Sequence, residues 1–305
     1  DGTFYLYTLD QTGPYCRVRV RTSENLYDWK EAGFAFEINE KSPIHYFMSP
    51  NVFHKDGWFY LLIASQFAGG FGPTEFRVFY AASKSPAGPF VMNPEKPYIN
   101  TEPEIGGAPF VDDDGTKYMF WVDSTGSDRL CVVKMENWLK PDWSTAKALM
   151  YHQFYTVEDW QKAQTGESVE YVPYELATVS INEGPQVIKH KDKYYLTYSM
   201  GSYADSSYQV GQAVADNIMG PYRKLTEAEG GVLMSGGTSG SQEVTGTGHH
   251  GFVTVGDQLF MVYHRHNDTV IAGGARNPAV DELKWITVKD KDGNDLDVLY
   301  SNGPT

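Results

Sequence analysis

Short apolar runs rich in aromatic side chains recur along the chain, each set behind a polar turn, and this pattern is the first guide to its elements. Asp1-Gly2-Thr3-Phe4-Tyr5-Leu6-Tyr7 returns as Asp56-Gly57-Trp58-Phe59-Tyr60-Leu61, as Asp114-Gly115-Thr116-Lys117-Tyr118-Met119, as Asp192-Lys193-Tyr194-Tyr195-Leu196 and as Asp257-Gln258-Leu259-Phe260-Met261. Counted from Asp to Asp, the intervals are 55, 58, 78 and 65. Each copy predicts a turn feeding a strand. A second signature precedes four of the copies: Ser49-Pro50-Asn51-Val52, Ala108-Pro109-Phe110-Val111, Gly184-Pro185-Gln186-Val187 and His250-Gly251-Phe252-Val253. A third follows two of them, Ser85-Pro86-Ala87-Gly88-Pro89-Phe90 and Asn217-Ile218-Met219-Gly220-Pro221-Tyr222, where Gly-Pro turns the chain into an outer strand.

The unit is therefore a four-stranded antiparallel meander. Five copies predict an all-β chain, a five-bladed β-propeller of four-stranded blades, with residues 1–305 as one domain. Two stacked sandwiches compete as an all-β reading but give no reason for a three-part signature at such intervals. The longest interval holds Val157-Glu158-Asp159-Trp160-Gln161-Lys162-Ala163, expected as a short surface helix. The first copy starts at its turn with no inner strand ahead of it, so the natural protein is expected to carry residues before Asp1 that form that strand.

Composition sharpens this picture. Aromatics make up 14% of the residues, alongside 30 Gly and 16 Pro, as suits many short strands joined by tight turns. A formal charge of −14 would repel phosphate backbones and anionic lipid, which argues against nucleic acid and membrane partners and for a neutral ligand such as a sugar. Cys16 and Cys131 match no metal or redox spacing and read as packed thiols, with a single disulfide between them as the alternative. No apolar run approaches the length of a membrane span.

If the inner strands open onto one pocket, the residues just before them carry the chemistry. These are His45 and Met48, Glu104 to Gly107, Asn182 and Glu183, and Gln242, Glu243, His249 and His250. Asn182-Glu183-Gly184-Pro185 weighs most, because a carboxyl wedged between an amide and a Gly-Pro turn is poorly explained by packing. At the mouth of an aromatic channel, desolvation would favour its protonated form, as a general acid needs. Of the adjacent His249 and His250, which point to opposite faces of a strand, at most one is expected to face inward, and a pair of satisfied core or surface histidines is the alternative. Tyr263-His264-Arg265-His266 lies beyond the hairpin turn and is expected away from the pocket. Asp112-Asp113-Asp114-Gly115 reads as a hairpin turn rather than a calcium loop. Phe67 and Phe71 in a glycine-rich loop, with Tyr203 and Tyr208, are candidate platforms for sugar faces.

Taken in order, these marks make the chain resemble glycoside hydrolase family 43. They are Ser23-Glu24-Asn25-Leu26-Tyr27-Asp28-Trp29 closing the first blade, Asp112-Asp113-Asp114-Gly115, Asn182-Glu183-Gly184-Pro185, Tyr208-Gln209-Val210-Gly211-Gln212-Ala213 with Met219-Gly220-Pro221-Tyr222, Gly246-Thr247-Gly248-His249-His250 with Tyr263-His264, and Gly303-Pro304-Thr305. The resemblance implies an inverting enzyme, secreted or periplasmic, that trims arabinose- or xylose-containing polysaccharides on a five-bladed propeller. Glu183 takes the acid position, with a carboxylate base about 6.5–9.5 Å away across a water. His249 matches an axial histidine that can hold a hydrated calcium, though no cofactor is required, and Arg276 matches a basic residue near the acid. Gln242, Phe71 and Tyr203 join them as expected substrate contacts. The family's base lies upstream of the first Asp-Gly turn, and if the chain begins at Asp1 the first substitutes are Gln242 and Glu243. The helper Asp falls on Gly106, which leaves Glu104, two residues earlier, to take its part. A carbohydrate-binding propeller that has lost catalysis is the alternative, and a retaining fructosidase is disfavoured because its Asn-Asp-Pro-Asn opening is missing.

Overall fold

Polar turns at Asp56-Gly57, Asp114-Gly115, Lys191-Asp192 and Gly256-Asp257 reverse the chain between paired aromatic strands. The computed structural model describes residues 2–67, 76–93, 99, 104–125, 129–176, 179–239, 242–267 and 276–304, without the side chains of residues 45, 67, 104 and 242. The first blade has three strands, Phe4–Asp10 (β1), Arg17–Ser23 (β2) and Lys30–Glu37 (β3), in the order β1-β2-β3. The second is Ile44–Lys55 (β4), Trp58–Phe67 (β5), Phe76–Ser83 (β6) and Val91–Met92 (β7). The third is Glu104–Val111 (β8), Lys117–Asp123 (β9), Arg129–Asn137 (β10) and Lys140–Tyr151 (β11). The fourth runs Asn182–His190 (β12), Lys193–Met200 (β13), Gln209–Ala215 (β14) and Arg223–Lys224 (β15), with Val232–Met234 (β16) also on β14. A small hairpin, Gly237–Ser239 (β17) and Gln242–Val244 (β18), precedes the fifth blade, Gly248–Val255 (β19), Gln258–His266 (β20), Arg276–Lys289 (β21) and Asp295–Ser301 (β22). Five successive antiparallel blades make this a five-bladed β-propeller by class, as the repeat predicts.

Ser23 to Trp29, expected to close the first blade, instead links β2 to β3. Asn25 Oδ1 accepts from the backbone N–H of Tyr27 and Asp28 at 3.0 and 2.8 Å, which folds the segment into a turn. The insertion forms a helix, Val157–Gln164 (α1), capped by Thr156 and Asp159 and burying none of its residues. Trp160 stacks on Tyr151 at 3.9 Å between ring centroids. Cys16 and Cys131 are buried and not joined in a disulfide.

The chain divides into two compact units, Asp1–Thr125 with Val133–Thr145, and Gly126–Val132 with Ala146–Thr305. In the first, Val18, Val20, Phe36, Ile44, Phe47 and Phe79 share one buried core. In the second, Val210, Met234, Met261, Tyr263, Leu283 and Leu299 pack together.

The inner strands β4, β8, β12 and β19 break register between Met48 and Asn51, Ile105 and Gly107, Glu183 and Gln186, and Gly248 and Gly251, and β4 also between Ile44 and Tyr46. In the first four of these breaks one residue takes the left-handed region: Ser49 at φ +53°, Gly106 at +60°, Gly184 at +56° and His249 at +50°. A bulge bends its strand and re-aims the side chains beside it, which is why such devices gather at functional sites.

Candidate active site

Glu183 stands on β12 just before the bulge, its side chain half-buried. Tyr208, at the entry to β14, donates its phenolic proton to Glu183 Oε1 at 2.6 Å. The Tyr208 ring is fully buried. It lies flat against His264, 5.3 Å between centroids and 6° between planes. The ring also packs on Gly248, the cross-strand partner of His264, where an added Cβ would come within 2.3 Å of it, so that position admits only glycine. Burial first, and the Glu183 charge second, hold the Tyr208 phenol well above its ordinary range, so it remains a donor.

His249 is held from two sides. Its backbone N–H donates to Ser199 Oγ at 2.7 Å, and its Nδ1 stands 3.4 Å from Tyr208 Oη. Since the phenol's one proton is committed to Glu183, Nδ1–H is the donor in that second contact, which leaves Nε2 with its lone pair. Burial pulls the His249 imidazole below its ordinary value; the Glu183 charge opposes this and the Arg276 charge adds to it. His264 is pushed well below its range by burial, then by Arg276. Both rings are therefore neutral at neutral pH. Arg276 Nη1 donates to His264 Nε2 at 3.2 Å, and its guanidinium lies 5.0 Å from the centroid of the half-exposed Tyr203 ring.

Behind the head of β12 lies a second, wholly buried group. Lys224 Nζ donates to Glu175 Oε1 and Oε2 at 2.8 and 2.7 Å, to Asn182 Oδ1 at 3.0 Å and to the Tyr151 carbonyl at 2.9 Å. Tyr198 Oη adds a bond to Glu175 Oε1 at 2.8 Å. Burial lowers the Lys224 ammonium from its usual value, with Glu175 pulling the other way.

Residues 1–288 match the family described as Glycosyl hydrolases family 43. The chain belongs to that family. It is 29% identical over 270 residues to xylosidase/arabinosidase 43A of Humicola insolens, a match covering 80% of this chain and 72% of that one. A crystal structure of a thermostable family-43 glycoside hydrolase superposes with a TM-score of 0.75 at 28% identity, over 100% of this chain and 90% of the other. An endo-1,4-beta-xylanase from Bacteroides thetaiotaomicron shares the fold with a TM-score of 0.72 at 23% identity, over 100% and 91%. The protein is thus a family 43 glycoside hydrolase, an enzyme whose substrate is a carbohydrate.

Among the sequence-predicted site residues of this family 43 enzyme, the structure brings Glu183 and His249 together around Tyr208, with Arg276 bonded to His264 Nε2 and lying against the Tyr203 ring. Two expectations are corrected. Tyr208 cannot stack on a sugar, because its ring has no exposed surface. His264 is not remote, because β20 runs antiparallel to β19 and returns it opposite Gly248. Sequence reasoning missed the link between Glu183 and Tyr208. The one signal for it was Gly248 in Gly246-Thr247-Gly248, which clears room for the Tyr208 ring, whereas Gly246 makes room for His266. His250 does turn away from His249, and its Nε2 meets Thr197 Oγ1 at 2.7 Å.

Phe71 lies outside the described residues, as do the side chains of Glu104 and Gln242. Their backbones pair Glu104 with Asp123 and Gln242 with Ser239. Gly106 occupies the bulge position of β8. A calcium at His249 would have to draw most of its about six to eight oxygen ligands from water, since among the described residues no three metal-ligating side chains gather.

Proposed function

We propose that this enzyme removes or cuts arabinose- or xylose-containing units of plant polysaccharides by inversion, with Glu183 as the general acid, and that it works outside the cytoplasm, secreted or periplasmic. One observation carries the assignment of Glu183. Its Oε1 is engaged by Tyr208, while its Oε2 finds no partner among the described residues and is left to face a ligand. The activity carried in the name of the Humicola insolens relative supports the sugar class. Arg276 and the exposed face of Tyr203 serve as substrate contacts beside the acid, with Gln242 and Phe71 completing the set. Glu104 stands in for the helper carboxylate that Gly106 cannot supply, and the polymer is neutral, in keeping with the net charge of −14.

The test is a panel of 4-nitrophenyl pentosides and hexosides, followed by arabinan and arabinoxylan oligosaccharides, with the product anomer read by NMR. Cleavage of an arabinofuranoside or xyloside with inverted product is expected. In Glu183→Gln, turnover of an unactivated oligosaccharide should fall about 10²–10⁴-fold, because the amide keeps the shape and cannot give the proton. A loss smaller than about tenfold removes Glu183 from the role. Gly106 at the family's helper position favours one competing reading, a sugar-binding protein without catalysis, and binding without cleavage across the panel would support that reading instead.

A further inference from the structure

We propose that Tyr208 is a positioning residue that directs the transferable proton of the acid to Glu183 Oε2 and steadies the carboxylate left behind. This rests on the reading of Glu183 as the general acid.

The phenol has one proton, and at 2.6 Å it is given to Oε1. A neutral carboxyl has one oxygen that accepts and one that carries hydrogen. With Oε1 held as the acceptor, the acid's own hydrogen sits on Oε2, the oxygen without a partner among the described residues. In the chemical step that proton passes from Oε2 to the glycosidic oxygen as the bond from that oxygen to the anomeric carbon breaks, while a water adds to that carbon and gives its proton to the carboxylate base of the inverting site. The pair of electrons from the O–H bond stays on Glu183, which becomes a carboxylate. The bond from Tyr208 to Oε1 then strengthens from neutral to charge-assisted. Its benefit grows along the reaction coordinate, which is the kind of interaction that raises kcat rather than binding alone.

The surroundings fit a fixed donor. Tyr208 cannot swing away, being wholly buried and packed against the His264 ring and Gly248. Its oxygen is met by His249 Nδ1 at 3.4 Å and by the Ser199 hydroxyl, and both contacts polarise the phenol toward Glu183. The titratable and charged groups facing it are Glu183 from β12, His249 from β19, His264 from β20 and Arg276 from β21. The two imidazoles are neutral and the guanidinium does not titrate near neutrality. None of these neighbours therefore changes charge on the alkaline side of neutrality, and a displaced alkaline limb on altering Tyr208 is not theirs.

Tyr208→Phe keeps the ring and deletes the donor. The limb of kcat/KM should move to higher pH by about one unit, because a donor to the ionised carboxyl favours that form and its loss does the reverse. At the plateau, kcat on an oligosaccharide should fall about tenfold with KM within about twofold, while a 4-nitrophenyl glycoside, which needs little protonation, should be nearly unaffected. Placing 3-fluorotyrosine at position 208 preserves the fold and strengthens the donor, so the limb should move to lower pH. That variant decides the matter if Tyr208→Phe does not fold. Limbs that stay put in both variants, or a loss in Tyr208→Phe equal for good and poor leaving groups, overturn the proposal. Glu183→Gln measured in parallel keeps the two readings apart: if it loses less than tenfold, the acid assignment itself has failed.

Discussion

Glu183 owes its outlook to the residue that follows it. Gly184 sits at φ +56°, and a Cβ there would be strained and would stand 3.4 Å from His249 Nδ1. Gly184→Ala is expected to cost about 1–2 kcal/mol of stability. By shifting the head of β12 it should also lower kcat on an oligosaccharide at least about tenfold, since a displacement near 1 Å at an acid costs of that order or more. Gly57, at φ +73° with nothing within 4 Å of its would-be Cβ, is the matched control. Gly57→Ala should lose similar stability and keep full activity, and equal kcat in the two variants would count against the coupling. The carboxyl itself was legible in the sequence, because an acidic residue ahead of Gly-Pro at the start of a repeat has no packing reason to be there. Tyr208 was legible as an aromatic but not as a buried donor. What buries it is Gly248 in the next blade and His264 at the end of a returning hairpin, and neither is near it along the chain.

At the scale of elements, the repeat located the inner strands but started them one step too late. The candidate side chains Glu183 and His249 do not precede the strands; they sit within them, at the bulges of β12 and β19, where the pleat is interrupted and a side chain can be turned. The Pro that follows Ser49 and Gly184 was the available sign of this interruption. A more serious omission is the anchor of β12. Lys224, on the short outer strand β15, and Glu175, in the 3-10 turn Pro173–Glu175, are both wholly buried and bind Asn182, the residue beside Glu183. Lysine and glutamate are seldom buried unless paired, so neither alone announces itself in a sequence. Lys224→Met should destabilise the protein by about 3–5 kcal/mol, because it leaves the Glu175 carboxylate buried without its counter-ion. Adding Glu175→Gln to it should cost far less than the sum of the two single changes. Urea midpoints for the three variants check this, and strict additivity would mean that the pair does not act as a unit.

For the whole molecule, the number of blades could be read from the turn-and-strand repeat because every copy must reverse the chain at a polar turn and bury an aromatic strand. The response to acid could not, since it depends on which histidines the folded chain buries. His250 is driven down to about 3 by burial and by its neighbour His249, and its Nδ1 has no hydrogen-bond partner among the described residues. His249 and His264 are also lowered, by burial first. Unfolded, each would take a proton near pH 6.5. Between that value and their folded values the unfolded chain binds more protons than the native one, so stability falls as pH falls. Asp297, lowered to about 2 chiefly by its hydrogen bond with Lys191, contributes stability that is present above its unfolded value near 3.8 and is lost only below it. Its window therefore lies under that of the histidines. The protein is expected to begin losing stability on the acid side as soon as pH drops through about 6.5, well before its carboxylates titrate. His250→Gln keeps a polar group opposite Thr197 but takes up no proton, and should make the slope of unfolding free energy against pH between about 6 and 4 visibly shallower. Urea melts of the parent and the variant across that range provide the comparison, and an unchanged slope would show that His250 is not among the groups that set acid stability.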